Sequence, residues 1–280
     1  MSEYNNLYCT TKDYLVTGRK FSIFWNKSKT IAKTEINFDE SLDKFYISDR
    51  YRSHQKKATS TTDLLYNFAK RIMLKYKYGL LEKSFSNFKV LDFGCGIGDF
   101  LIYTTSKNIF SVGVENNNLA FNICKSKNLK VYKNIEEVKE NQFNAITLWH
   151  VLEHIENPAK LVSKIKHKID KKGALIVALP NIQSFDSQVF KEHWAALDVP
   201  RHLWHFTSKG IIKLIEKEGF VFKTKKALLF DAYYISLLSS TNQGLMFPWI
   251  ISALIGTISN LIGLITGNFS SNIYIFQKGD

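Results

Sequence analysis

From residue 88 onward the chain switches between two hydrophobic periods. Lys89-Val90-Leu91-Asp92-Phe93 is a short, nearly continuous apolar run that meets a glycine-rich turn, which predicts a buried strand. Residues 110–115, 129–132, 143–149 and 174–179 repeat that signature. Residues 221–230 contain a sixth strand, and Ser271 to Phe276 reads as a seventh. Between the strands, residues 98–107, 117–127, 158–169 and 208–218 carry apolar side chains at helical spacing. Strand and helix alternate, so the pattern predicts an α/β fold, a doubly wound, mostly parallel seven-stranded sheet with helices on both faces.

The two ends of the chain depart from this alternation. Residues 1–60 are polar and aromatic, with short β-like runs such as Lys20 to Trp25, and are expected to form an N-terminal cap. Thr62 is placed to cap a helix reaching about Leu81 and ended near Gly79, with Leu65, Phe68, Ala69, Ile72 and Tyr76 as its apolar stripe. The main domain is expected over 61–280, with a lid at 180–206 and an apolar helical insertion at 232–268. No charged residue lies between Asp231 and Lys278. Pro248 to Gly267 is close to the roughly 20 apolar residues that span a bilayer. Three roles remain open for it: a core or lid helix, a membrane-surface or partner-binding helix, or a span. A strand at 271–276 that joins the main sheet would exclude the span.

Composition adds limits. The 280 residues are 45% apolar, enough for a sizeable core. The net charge of +13 suits nucleic acid, an anionic membrane face or phosphorylated substrates, or else a solvated lysine-rich surface. Cys9, Cys95 and Cys124 form no C-x-x-C pair, which fits a reducing compartment and no structural zinc. The N-terminus carries no signal-like segment, so a cytoplasmic location is expected, with membrane association left open by the tail.

The chemistry concentrates at the first strand–helix junction, Asp92-Phe93-Gly94-Cys95-Gly96-Ile97-Gly98-Asp99-Phe100. Glycine there lets a ligand approach the backbone, and the following helix presents free N–H groups. In the dinucleotide frame G-x-G-x-x-G the third glycine is replaced by Asp99, which disfavours a pyrophosphate. Asp92 and Asp99 suit a cationic ligand instead. Glu115 ends the second strand about 20 residues on, where a carboxylate can accept both ribose hydroxyls.

Residues 90–100 resemble motif I of class I S-adenosylmethionine methyltransferases, and the resemblance extends over about 85–230. It implies a Rossmann-like methyltransferase fold and S-adenosylmethionine as cofactor. By that resemblance Asp92, Gly94 and Gly96 hold the methionine end, with Cys95, Gly98, Asp99 and Phe100 around them. Glu115 takes the ribose, Asn134 and Ile135 the adenine, and Asn116, Trp149 and His150 also belong to the cofactor site. Leu148 to His154 is similar to the ubiquinone-methyltransferase-like group. Asp198 to Thr207 is similar to bacterial members acting on small or sugar-related molecules. Such relatives often begin with a zinc ribbon, and residues 24–34 hold its place without its cysteines.

Methyl transfer to a hydroxyl profits from a base, and His150 is the first candidate, with His202 and His205 as alternatives. His154 and His205 also suit plain loop-fixing hydrogen bonds. His150-x-x-Glu153-His154 has metal-ligand spacing, but His150 stands where metal-binding relatives carry a glutamate, so no metal is expected. The expected acceptor is a small molecule, a hydroxyl of a sugar-, quinone- or lipid-related metabolite, held by the aromatics of the lid. A nucleic-acid methyltransferase, a non-catalytic cofactor-binding scaffold and an NAD enzyme stay as alternatives. The first lacks support after the fourth strand, where Leu148-Trp149-His150-Val151 replaces an N-P-P-Y-like tetrad, and no nucleic-acid partner is expected.

Overall fold

The computed structural model describes residues 3–36, 45, 61–85 and 88–279. Three N-terminal strands, β1 (Tyr4–Lys12), β2 (Lys20–Asn26) and β3 (Ile31–Thr34), precede a long helix, α1 (Thr61–Glu82). The alternating part then runs β4 (Lys89–Phe93), α2 (Asp99–Ser106), β5 (Phe110–Val114), α3 (Asn118–Ser126), β6 (Val131–Tyr132), β7 (Phe143–Trp149), α4 (Pro158–Lys168) and β8 (Ile169–Pro180). A short helix α5 (Phe185–Phe190) and a strand β9 (Trp204–Phe206) follow, then α6 (Ser208–Lys217) and β10 (Phe220–Ala227). The chain ends with a helical hairpin, α7 (Leu229–Asn242) and α8 (Pro248–Thr266), and a last strand β11 (Ser271–Lys278).

The main sheet has seven strands in the order β10-β11-β8-β7-β4-β5-β6. β11 is antiparallel to both neighbours, and the pairings among β4 to β8 are parallel. This is the doubly wound α/β sheet that the alternation predicts. The order reverses at β4, with β5 on one side and β7 on the other, and ligands of such sheets bind beyond the carboxyl ends at that reversal. The core fills both faces: Leu91, Val112, Ile146 and Leu148 cluster on one side, and Val90, Ala145, Ile176 and Ile273 on the other. β11 inserts between β10 and β8, so α8 leaves the sheet and returns to it, and a bilayer span at 248–266 is excluded.

The cap is a second sheet, β1-β2-β3-β9, to which the segment expected as a lid supplies the fourth strand. Phe21, Ile23 and Ala32 of the cap share a core with Ile182, Phe190, Trp194, Leu197 and Val199. Cap and lid segment therefore pack as one unit. A buried ion cluster ties them: Arg201 donates to Asp198 Oδ1 (2.7 Å) and to Asp13 Oδ1 (2.9 Å), and to the Phe45 carbonyl (3.0 Å). Asp13 also accepts the Thr17 N–H and hydroxyl, both at 2.8 Å. Burial works against its charge, but these donors win and hold its carboxyl below the usual range.

α1 departs from its expected pattern. It runs through Gly79 to Glu82, and of the expected stripe Phe68, Ile72 and Tyr76 are exposed while Ala69 lines the cleft. Thr62 and Leu65 lie outside the described side chains. Tyr78 and Leu81 enter the core beside β4, and Lys70, Met73, Leu74 and Lys77 face the cleft beneath. The inward stripe contains two lysines, so hydrophobic periodicity counted it as a polar face.

Removing the cation of a buried ion pair strands its partner, at a cost of about 3–5 kcal/mol. Arg201→Ala is expected to lose stability on that scale in urea unfolding, with Asp13 left buried and unpaired. A loss of less than about 1 kcal/mol, the range of an exposed pair, would contradict the assignment.

Candidate functional site

The carboxyl ends of β4 to β8 open into one cleft of about 1930 Å³. Its floor is the glycine turn after β4. The N–H groups of Gly94 and Cys95 both donate to the Val114 carbonyl, at 2.7 and 3.1 Å, which folds the turn back over β5. Gly96 has a left-handed φ of 55°, and a Cβ built there meets nothing within 4 Å. The turn thus presents bare backbone to open space, a cradle for a ligand. Gly98 differs. It caps α2 with φ 83°, and a Cβ there would stand 2.3 Å from Leu129 Cδ1 and 3.0 Å from Cys124 Sγ. It lets helix and neighbour pack closely, between Ile97 and Asp99, which line the cleft.

Glu115 fastens this turn. Its Oε2 accepts the Gly96 N–H and its Oε1 the Asn117 N–H, both at 2.8 Å. It is buried, lines the cleft, and each oxygen retains acceptor capacity for a hydroxyl. Asp92 lies deeper and receives the Thr147 hydroxyl at 2.6 Å. Burial pushes its carboxyl up to about 7, Glu115's charge adds to that, and Thr147 and Lys77 oppose it. Asp99 pairs with Lys70 at 2.5 Å. Asn116, Asn134 and Ile135 line the wall after β5 and β6, and Asn134 donates to Glu137 Oε1 at 3.0 Å. Phe100 packs edge-on against Trp149 with ring centroids 5.5 Å apart. The Trp149 indole Nε1 is buried without a partner among the described residues.

Two groups in the cleft escaped the sequence. Lys77 from α1 places its Nζ 4.4 Å from the Trp149 ring. Burial lowers its pKa, while Asp92, Asp231 and Asp99 pull it back up. Asp231 opens α7 and reaches His150. Its signal in the sequence was faint: it is the last charge before the uncharged tail.

The three candidate histidines have different settings. His150 sits at the end of β7 with a left-handed φ of 56°, and its Nε2 lies 3.0 Å from Asp231 Oδ2 and its Nδ1 3.5 Å from Glu153 Oε1. Burial disfavours its charge, yet the two carboxylates outweigh that and raise it to about 9. That setting favours the charged imidazole, which works against a role as base. His202 lines the cleft, with Nδ1 2.8 Å from the Ala196 carbonyl and Nε2 4.0 Å from Asp198 Oδ2. His205 does not reach the cleft. It lies buried in β9, 2.9 Å from the Thr34 hydroxyl, and burial together with His202's charge pushes it down to about 3. That setting suits the loop-fixing hydrogen bond that is its other expected role.

The H-x-x-E-H spacing also resolves differently from its face value. His150 turns to Asp231, while Glu153, His154 and His202 bring donor atoms within 4.8 Å of one another. This trio, completed by a residue from the lid segment, could hold a metal ion. The His154 Nδ1 sits 2.9 Å from the Arg201 carbonyl, and burial pushes that imidazole down to about 4.

An acid-lined glycine turn at the switch point, an acid at the end of the second strand and no third glycine for a pyrophosphate define the S-adenosylmethionine-dependent methyltransferase class. Comparison with known proteins agrees. The chain belongs to the methyltransferase-domain family, whose model matches residues 65–224. An uncharacterized protein of Methanocaldococcus jannaschii is 36% identical over 126 residues, covering 43% of this chain and 54% of that protein, so the match spans about half the relative's length. The fold is similar to that of magnesium protoporphyrin IX methyltransferase from Synechocystis PCC 6803, solved with bound S-adenosylhomocysteine, at a TM-score of 0.54 and 12% identity over 82% of this chain and 94% of that one. It is also similar to a SAM-dependent methyltransferase from Archaeoglobus fulgidus, at a TM-score of 0.50 and 18% identity over 78% and 100% of the two chains. The residues present fit S-adenosylmethionine: bare Gly96, acceptor capacity on Glu115, an unpartnered indole N–H and a buried acid.

His150 gains its charge on folding, from an ordinary value of 6.5 to about 9. The stability it contributes is therefore complete below pH 6.5 and is lost as pH rises through about 9. His150→Gln is expected to flatten the fall in melting temperature across that window, and an unchanged slope would contradict the bracket by Asp231 and Glu153.

Proposed function

We propose that this chain transfers the methyl group of S-adenosylmethionine to a hydroxyl of a small, amphiphilic acceptor. The observation that carries the reading is the pairing of the bare Gly96 cradle with Glu115 and Asp92 in one cleft that has room for a second molecule. A cation is favoured there, because acids surround the turn where phosphate sites gather N–H donors and lysines.

When bound, S-adenosylmethionine supplies an activated methyl group on a sulfonium. The chain's part is then mostly positioning. Glu115 would accept the ribose hydroxyls, and Asp92 would face the methionine ammonium. On the acceptor side, α7 contributes Tyr233, Tyr234, Ile235 and Leu238, and the lid segment contributes Trp194 and Leu197. These apolar walls favour a small molecule over nucleic acid. The likeness of 148–154 to the ubiquinone-methyltransferase-like group points the same way.

His202 is the best-supported base. Donation from its Nδ1 to the Ala196 carbonyl selects the tautomer whose Nε2 is free to take a proton, and Asp198 stands near that atom. His150, already a cation, is suited to orient or neutralise an anionic oxygen.

Isothermal calorimetry tests the cofactor. Binding in the micromolar range is expected, with net proton release near neutral pH, because a bound cation draws Asp92 down from about 7. Asp92→Asn should abolish the release. No binding at millimolar S-adenosylmethionine would overturn the proposal. With an acceptor in hand, His202→Gln is expected to keep cofactor affinity and lower kcat about 10²-fold. An unchanged kcat would remove His202 as base.

A further inference from the structure

α8 is built inside out for a helix in water. A surface helix turns its large apolar side chains inward and its polar ones outward. In α8 the buried residues are Ser252, Gly256, Ser259 and Gly263, one stripe of small residues along its whole length. Ile251 and Ile255 lean on the core shared by cap and lid segment, but most of the other large side chains face out: Trp249 is 69% exposed, Leu264 72% and Ile265 87%. The small stripe is a fixed contact. A Cβ on Gly256 would stand 2.7 Å from Tyr233 Cδ1, and one on Gly263 2.5 Å from Phe269 Cδ1. Ser259 donates to the buried Asp186 carboxylate at 2.7 Å, and Ser252 to the Tyr233 carbonyl at 2.5 Å. The outward apolar face is therefore not a core face that has come loose. Small residues toward the neighbour and large apolar ones away is how helices pack in lipid.

The face also has a position and a charge setting. Exposed apolar side chains also stand at the hairpin tip, Met246 and Phe247, and at the start of α7, where Phe230 and Tyr234 are both part of the cleft wall. Lys225 stands at the C-terminal end of α8, its Nζ 3.1 Å from where a Gly267 Cβ would lie. No charge of either sign falls between Asp231 and the last strand's Lys278, so the strip brings no acid to repel an anionic surface, and Lys225 and the chain's net charge of +13 supply the attraction. A long apolar strip free of acids on a basic protein complements an anionic bilayer surface. α8 is 19 residues, about 28 Å by its rise, and lies lengthwise on its neighbours, so it would rest in the interface plane.

We propose that the α7–α8 hairpin docks this chain on an anionic membrane surface, with α8 embedded in the interface and the acceptor side of the cleft opening at the lipid headgroups. The acceptor would then be a membrane-resident amphiphile, and only this last step rests on the methyltransferase reading.

Flotation of the full chain with vesicles tests the docking, using phosphatidylcholine alone and an equal mixture with phosphatidylglycerol. The chain is expected to float with the mixed vesicles and far less with the neutral ones. The double variant Leu264→Glu/Ile265→Glu should lose flotation at least tenfold while binding S-adenosylmethionine as before, because both side chains face away from the fold. Trp249→Ala should give a smaller loss without adding charge. Absence of flotation, or equal flotation of the double variant, would overturn the proposal. So would a stable dimer in light scattering that the double variant dissociates, since that assigns the face to a second copy. Flotation without cofactor binding would leave the docking standing and count only against the proposed function.

Discussion

The hydrogen bond from the Gly96 N–H to Glu115 joins the ends of β4 and β5, beside the point where the sheet reverses its order. It keeps a turn of bare backbone in a left-handed geometry that leaves open space in front of it. It also puts a carboxylate where a phosphate site would have gathered only donors. The other features of the site follow from that sign of charge. Asp92 is buried behind the turn, Asp99 flanks it, and Lys70 and Lys77 from α1 come down as counter-charges. Acids and lysines thus meet in the cleft, with the carboxylates of Asp92, Asp99 and Glu115 gathered at the glycine turn itself.

The rest of the cleft is built from segments remote in sequence. The N-terminal sheet and the lid segment share one core, fastened by Arg201 between Asp13 and Asp198. That core fixes the strand carrying His205 and the turn carrying His202, and it brings His202 beside Glu153 and His154. α7 supplies Asp231 to His150 from the opposite wall. A small-molecule acceptor between them would meet a cation on one side and a hydrogen-bonded imidazole on the other.

The alternating part of the fold was legible because its signal is local. β4 and β7 occupy the residues their apolar runs mark, and the glycine turn stands between a strand and a helix as its composition requires. What failed depends on partners far along the chain. Nothing local distinguishes Gly96, which fronts open space in the cleft, from Gly98, which packs on Leu129. His205 and His202 lie three residues apart, yet one pairs with Thr34 in a strand and the other lines the cleft. The inward stripe of α1 includes Lys70 and Lys77, charges whose partners are acids of the cleft, so a hydrophobic count turned that helix the wrong way. α8 misleads the same count for the opposite reason, since its buried face is the small one.

The central claim is that the turn at 94–100 receives a nucleoside cation through Glu115. Hydrogen exchange with and without S-adenosylmethionine reads this directly, amide by amide. Slowed exchange at Gly96 and through the first turn of α2, together with Asn116 and Asn117, is the predicted result. Protection confined to other segments, with the glycine turn exchanging at its unliganded rate, would contradict the account.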